Sequence, residues 1–443
     1  MAEQEVDLSS KDIKDADIWI ERGDGFFKAE EWQEAIKLYD KALELNPRHQ
    51  FAYFKRGSSY LNIEDYENAL SDFNMAIMIN PNFSFAYFKR GLIYAEMKYH
   101  KKAIIDFTKA IENNKDFVFA YYRRGYSYYI TRKLDNAIEE FDKTIELNPS
   151  YLLAYFYRGN AYYEKGLYEE SIRDYNKVTE IDPQYEKVYV ARGIALISIK
   201  QYNEAIKDFN VAIQMDPNNM LAYNYRGIIL IKNKKYQEAI NDFEKVLSVD
   251  PNNIDANNNI GIAYFSSKNF KSAIQAYTKS ISIMPESYNL YYNRAMAYSL
   301  LKQNEEAIID FNKVIELKPH LAVGYLGKAN SLSELGLHKE AFNFYSKALT
   351  INPKLLQAYI GRANVYMKTK HFRKAQEDFT LAIEINPSYA QTYLNRGIAF
   401  KAEKRFESAA EDFNKFLLLY NRKDKLSLQV KGWINKMGYT TSK

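Results

Sequence analysis

Five histidines, His49, His100, His320, His338 and His371, are the side chains of this 443-residue sequence best suited to hold a metal or move a proton near neutral pH. No two stand at the four-residue spacing that would put a pair of imidazoles on one helix face, so they predict no metal site. Cysteine is absent, which excludes a thiolate ligand, a thiol nucleophile and a disulfide. Gly23 and Gly25 form a lone G-x-G with no strand before it, unsuited to cradling a dinucleotide. Carboxylates are interleaved with lysines along the chain, a pattern of solvated faces rather than of an acid/base dyad. The expectation is therefore no enzyme, no metal and no cofactor. What remains is non-covalent chemistry. Phe51 and Phe54 with Lys55, Phe85 and Phe88 with Lys89, and Phe119 and Tyr122 with Arg123 join rings to cations, and Leu153 and Phe156 continue the series with Tyr157 in the cation's place. The three-residue step inside each group puts its rings on one helical face.

The elements that would carry these groups are set out by an internal period. All ten prolines, from Pro47 to Pro387, share one register of 34 residues, and the single skipped place holds Lys115. Residues 16–423 divide into twelve units of that length without insertion or deletion. Each unit reads as two short helices, with the proline just beyond the second because it cannot continue the backbone ladder. Small residues recur at the eighth place (Gly57, Gly91, Gly125 and their successors) and at the twentieth (Ala69, Ala103, Ala137 and theirs), marking where two helices cross closely. Rings at the fourth and twenty-fourth places, such as Tyr53 and Phe73, fill the space around the crossing. Most of the aromatic content is thereby assigned to core.

Tyr53, Gly57, Tyr60, Tyr66, Ala69, Phe73, Ala76 and Pro81 form a set that resembles the signature of the tetratricopeptide repeat, and similar sets recur in all twelve units. The resemblance implies an all-α fold, a right-handed superhelical solenoid of antiparallel helix pairs whose first helices line a concave side. It also implies that the second, fifth, sixth, ninth, twelfth and thirteenth places face the groove. By that mapping the ring-and-cation groups make an apolar trough edged with positive charge, suited to peptide or helical segments of partner proteins. The bland alternative is that these rings pack on neighbouring units or hold a dimer together. Farther along, Asn258, Asn259, Asn293, Asn330 and Asn364 take groove places, with Gly327 and Gly361 interrupting; carboxamides can both donate to and accept from an extended backbone. The lysine that clamps chaperone C-terminal carboxylates in some relatives is missing at the fifth place, so that ligand is not expected. Arginine at the seventh place and an acid at the twenty-third suggest a bridge within each repeat.

Residues 1–15 read as a polar tail, of which the first ten or so are expected to be disordered, leading into the first helix. Residues 424–443 read as a C-terminal capping helix and short tail, with Leu426, Val430, Ile434 and Met437 on one stripe covering the last repeat; an amphipathic membrane anchor is the sharper alternative. The 61 basic and 56 acidic residues run along the whole sequence, which argues against a nucleic-acid footprint. No signal-peptide pattern or apolar stretch of membrane-spanning length is present, so the expectation is a cytoplasmic protein without a membrane partner. Function reads as a non-catalytic scaffold or adaptor. A targeting or regulatory subunit for a separately encoded enzyme, and single-stranded RNA binding by ring stacking, are the alternatives; oligomeric state is left open. The eighth repeat lacks the fourth-place tyrosine, the arginine and the acid together, having Asn257, Ile260 and Ala276, and is expected to be the weakest link.

Overall fold

Two kinds of turn, each used over and over, organise the computed structural model, which describes residues 10–441. At the fifteenth place the chain enters the left-handed region in every repeat. Ten of these residues are not glycine, among them Glu64, Lys98, Arg132, Lys234 and Lys404, with φ between 59° and 65°; the other two are Gly166 and Gly336. This residue ends the first helix and swings the chain into the second. At the thirty-first place an asparagine or aspartate side chain accepts a hydrogen bond from the amide two residues on, as Asn80 does from Asn82, Asn148 from Ser150 and Asp216 from Asn218. The proline between them lacks an amide, so helix continuation is closed off while the side chain shapes the turn.

Twenty-five helices result among the described residues, in pairs such as Gln50–Asn62 with Tyr66–Ile79. The first, Ser10–Lys28, begins before the first repeat, and Gly23 and Gly25 lie inside it. The chain forms two compact units, one ending at Ala222 and the other beginning at Tyr223. Inside each unit a helix packs on the one before and the one after it, and successive first helices also touch. No comparable contact joins successive second helices among the described residues. Crowded first helices and spread second helices make the first-helix side of each unit its inner face. The all-α array of antiparallel helix pairs implied by the sequence is thus the fold class observed. The disorder expected of the first residues falls on 1–9, outside the described residues.

The core is built around the twenty-fourth-place rings, Phe73, Phe107 and Phe141 among them, which are fully buried. A Cβ on Gly57 would sit 3.1 Å from the Phe73 ring, so the glycine allows an approach that alanine would obstruct. That closeness offsets the roughly 1 kcal/mol that glycine costs inside a helix.

Nine arginine–carboxylate bridges tie the two helices of a repeat together, as the sequence suggests. In eight the guanidinium is bidentate: Arg294 places Nε 2.8 Å and Nη2 2.7 Å from the Asp310 oxygens, and Arg56, Arg90 and Arg158 repeat this with Asp72, Asp106 and Asp174. Arg124 donates once to Glu140. The remaining guanidinium nitrogen reaches back to the previous repeat, donating to Asn74 from Arg90, Thr108 from Arg124 and Thr278 from Arg294. The fourth-place tyrosine lies under the same guanidinium, with Tyr87 5.4 Å from Arg90. One side chain therefore fixes three helices. Burial raises the Asp72 and Asp174 carboxyls above the usual range against the pull of the arginines.

After the last repeat, helix Lys425–Lys436 starts from a capping box between Asp424 and Ser427. Val430 and Ile434 are fully buried against the last repeat, with Leu426, Trp433 and Met437 packed around them. The predicted stripe is used in covering the array.

Candidate peptide-binding surface

In the first unit the second-place phenylalanines differ from the other rings of their first helices. Phe51, Phe85 and Phe119 are 49%, 50% and 58% exposed, although each lies on a first helix of the inner face. Each rests against the ring that closes its own repeat: Phe51 on Phe83 at 5.4 Å, Phe85 on Phe117 at 5.1 Å, Phe119 on Tyr151 at 6.0 Å. Phe83 and Phe117 are buried. The exposed rings are thereby backed by a rigid surface, and three neighbouring first helices present one each.

The fifth-place rings do something else. Tyr122 and Phe156 are buried, which corrects the expectation that they line an open trough. Tyr122 packs on Phe141 and Tyr151, and Phe156 on Tyr175 and Tyr185. Phe54 and Phe88 are half-buried in the same manner, wedged between Phe73 and Phe83 and between Phe107 and Phe117. The physical reason is the ring at the thirty-fourth place, which fills the corner between repeats and draws the fifth-place ring onto itself. Tyr157 is half-buried among Tyr126, Tyr129 and Phe156, and burial pushes its hydroxyl up to about 12.

The three cations differ as well. Lys55 is paired with Asp24 at 3.1 Å, and Asp24 also accepts from the Tyr39 hydroxyl at 2.7 Å. Among the described residues Lys89 has no ion pair or hydrogen bond, and desolvation lowers its pKa. Arg123 is exposed and lies 5.8 Å from the Tyr122 ring centre, with no carboxylate partner among the described residues. The free positive charge on this surface is therefore at Lys89 and Arg123.

The asparagines of the second unit do not form one ladder. Asn259 donates to Asn224 at 3.2 Å, and Asn330 accepts from the Tyr345 hydroxyl at 2.7 Å. Asn258 is partly buried, with Oδ1 wholly so and unpartnered. Asn293 is half-buried and Asn364 exposed. The interrupting glycines have a packing cause. A Cβ on Gly327 would lie 2.2 Å from the Phe311 ring, and one on Gly361 2.4 Å from Tyr345. In those ring-bearing repeats the eighth place is Ala295 or Ala329, and the ring leans onto the following repeat. Around Gly361 a recess of about 520 Å³ is lined by Asn330, Tyr345, Gln357, Asn364 and Tyr389.

One relationship went unread in the sequence. Where the twenty-fourth place is tyrosine, an acceptor often stands at the ninth place of the same repeat: Tyr39 with Asp24, Tyr175 with Asn160, Tyr345 with Asn330. A buried hydroxyl requires a partner, and this fifteen-residue pairing would have marked Asn330 as structural. Among the described residues no group of three or more histidines and carboxylates is placed to hold a metal ion, and no helix is long and apolar enough to cross a membrane.

No curated protein matches the chain. Among solved structures, yeast Tom70 is 18% identical over 96% of each chain with a TM-score of 0.40. The C-terminal part of a TPR repeat-containing protein from Cytophaga hutchinsonii is 23% identical, covering 54% of this chain and 98% of that one, with a TM-score of 0.47. YrrB is 23% identical over 42% of this chain and 95% of its own, with a TM-score of 0.39. Sequence profiles described as tetratricopeptide repeat match residues 16–49, 38–71, 86–117, 186–219, 221–253, 254–287, 288–321, 322–355 and 356–389, and profiles described as TPR repeat match 126–166 and 159–199. With those matches over most of its length and the helix pairs that realise them, the chain belongs to the tetratricopeptide repeat family.

Proposed function

We propose that this protein is a non-catalytic scaffold that holds peptide segments of partner proteins, and that its main contact is the row Phe51, Phe85 and Phe119. The observation that carries the reading is the exposure of those three rings on consecutive first helices while the surrounding rings are packed away. Exposed apolar groups in register on one surface are the mark of an interaction site. Neighbouring helices pack roughly 8–10 Å apart, and an extended chain advances about 3.3 Å per residue. A bound segment would thus offer an apolar side chain about every third residue. Lys89 and Arg123, both without a carboxylate, select for acidic residues between those anchors. In the second unit, the recess around Asn364 offers amides to a passing backbone.

The test is affinity capture with mass spectrometry, followed by fluorescence anisotropy on acidic peptides carrying aromatic anchors. The triple variant Phe51→Ala, Phe85→Ala, Phe119→Ala is expected to lose capture while its circular dichroism is unchanged. Capture equal to wild type would end this reading.

A further inference from the structure

We propose that the outer face of the capping segment docks on an anionic phospholipid surface. Six cations stand between Phe413 and Thr441: Lys415, Arg422, Lys423, Lys425, Lys431 and Lys436. Against them stands one carboxylate, Asp424, a balance of 6 − 1 = +5, which equals the formal net charge of the whole chain. All the other residues together are neutral, so the excess charge is concentrated here rather than distributed as the composition suggests. Asp424 is already occupied: it accepts from the Ser427 amide at 3.0 Å and from the Tyr420 hydroxyl at 2.7 Å. None of the six cations has an ion pair among the described residues.

Two helices carry the same pattern. Lys415, Leu418 and Arg422 lie on helix Phe406–Tyr420 and the turn after it; Lys425, Leu428 and Lys431 lie on helix Lys425–Lys436. Steps of three residues put Lys415 with Leu418, and Lys425 with Leu428 and Lys431, on one side of their helices, and Arg422, beyond the left-handed Asn421, lines the same recess as Lys415 and Leu418. All six side chains are exposed, and Leu418 and Leu428, at 68% and 69%, are the most exposed large apolar side chains described. A recess of about 600 Å³ lies between the two helices, lined by Lys415, Leu418, Arg422, Lys423 and Lys431, with Glu411 the carboxylate on its wall. The face used for capping, Val430 and Ile434, points the other way and stays buried.

Leucines that project between unpaired cations suit a surface that is anionic outside and apolar just beneath. Phosphates meet the amines and guanidinium, and the leucines enter the layer under the headgroups. Neither trio includes a ring on which a base could stack, which separates this face from a single-strand binding platform. A soluble polyanion would use the cations and leave the leucines idle.

Flotation of the full chain with vesicles decides the matter. We compare phosphatidylcholine alone with phosphatidylcholine containing about one-third phosphatidylserine. Binding is expected only to the anionic vesicles, and it should weaken when salt rises from about 50 mM to about 0.5 M. The variant Lys415→Gln, Arg422→Gln, Lys431→Gln is expected to reduce partitioning at least about tenfold, and Leu418→Ser with Leu428→Ser about tenfold. The phenylalanine triple variant should float as wild type does, so this proposal and the groove reading stand or fall separately. No binding to anionic vesicles overturns the proposal. So does a leucine variant that binds like wild type, because the face would then take any polyanion or an acidic protein segment.

Discussion

The Lys328 ammonium lies 3.9 Å from the centre of the Phe344 ring, at the two places of the tenth repeat where nine others hold an arginine and a carboxylate. A partly desolvated cation is satisfied there by the face of a ring instead of a counter-charge. Transplanting the arrangement tests its equivalence. Asp310→Phe alone would leave Arg294 without its acceptor and lower stability by about 2–4 kcal/mol. Adding Arg294→Lys is expected to recover part of the loss in urea unfolding. An equal loss in the double variant would mean the two solutions are not interchangeable.

Phe85 and Phe88 stand three residues apart on one helix and are expected to behave oppositely. Phe88→Ala opens a cavity beside Phe107 and Phe117 and should cost about 3–4 kcal/mol. Phe85→Ala removes a half-exposed ring and should cost less than about 1 kcal/mol. Thermal melts of the two single variants give the comparison directly, and similar losses would place Phe85 in the core.

Lys89 is held at a cost. Burial lowers its pKa, so the cost to folding is full below the folded value and fades as the pH rises from there to the value of the unfolded chain. Lys89→Met should therefore stabilise the protein by about 0.5–1 kcal/mol at neutral pH while weakening capture of acidic segments. A variant that is less stable would show that the ammonium contributes to packing.

The eighth repeat has Ile260 and Ala276 where its neighbours have a bridge, and Asn257 satisfies its own amide on the Pro251 and Asn253 carbonyls instead of offering a ring. Hydrogen exchange is expected to be faster in helices Ile254–Ser266 and Phe270–Ile283 than in Gln50–Asn62 and Tyr66–Ile79. Ile260→Arg alone should destabilise and Ile260→Arg with Ala276→Asp should restore protection. Equal protection in the wild-type repeats would remove the eighth as a weak point.

At the fifteenth place the left-handed backbone costs a residue with a Cβ about 1–2 kcal/mol. Lys234→Gly is expected to raise stability by up to about 1 kcal/mol, the gain being trimmed by the entropy of the unfolded glycine. Gly336→Ala should lower it by about 1 kcal/mol, although nothing lies within 4 Å of the added methyl. Opposite signs in chemical denaturation confirm a purely backbone effect.

The repeat, its two helices and the arginine–carboxylate bridge could be read from residue types alone, because each depends on spacing inside 34 residues. Pro81, Gly57 and Phe73 announce their places by what they cannot or must do. The candidate surface is only half legible. Phe51 and Phe54 are the same residue type at groove places of one helix, yet Phe83 covers one and leaves the other half exposed. That distinction belongs to the corner between two repeats, and no periodicity within a single repeat contains it. The pairing of Asn330 is hidden for a similar reason, since its partner hydroxyl on Tyr345 comes from the other helix of the pair.

Because each bridging arginine looks back by sixteen residues as well as forward by sixteen, its needs are met by any neighbour built to the same template. A gene that gains or loses one whole block would leave every such reach fulfilled on both sides of the splice. Changes of any other length would strand a guanidinium, so the array can be lengthened or shortened only in whole modules.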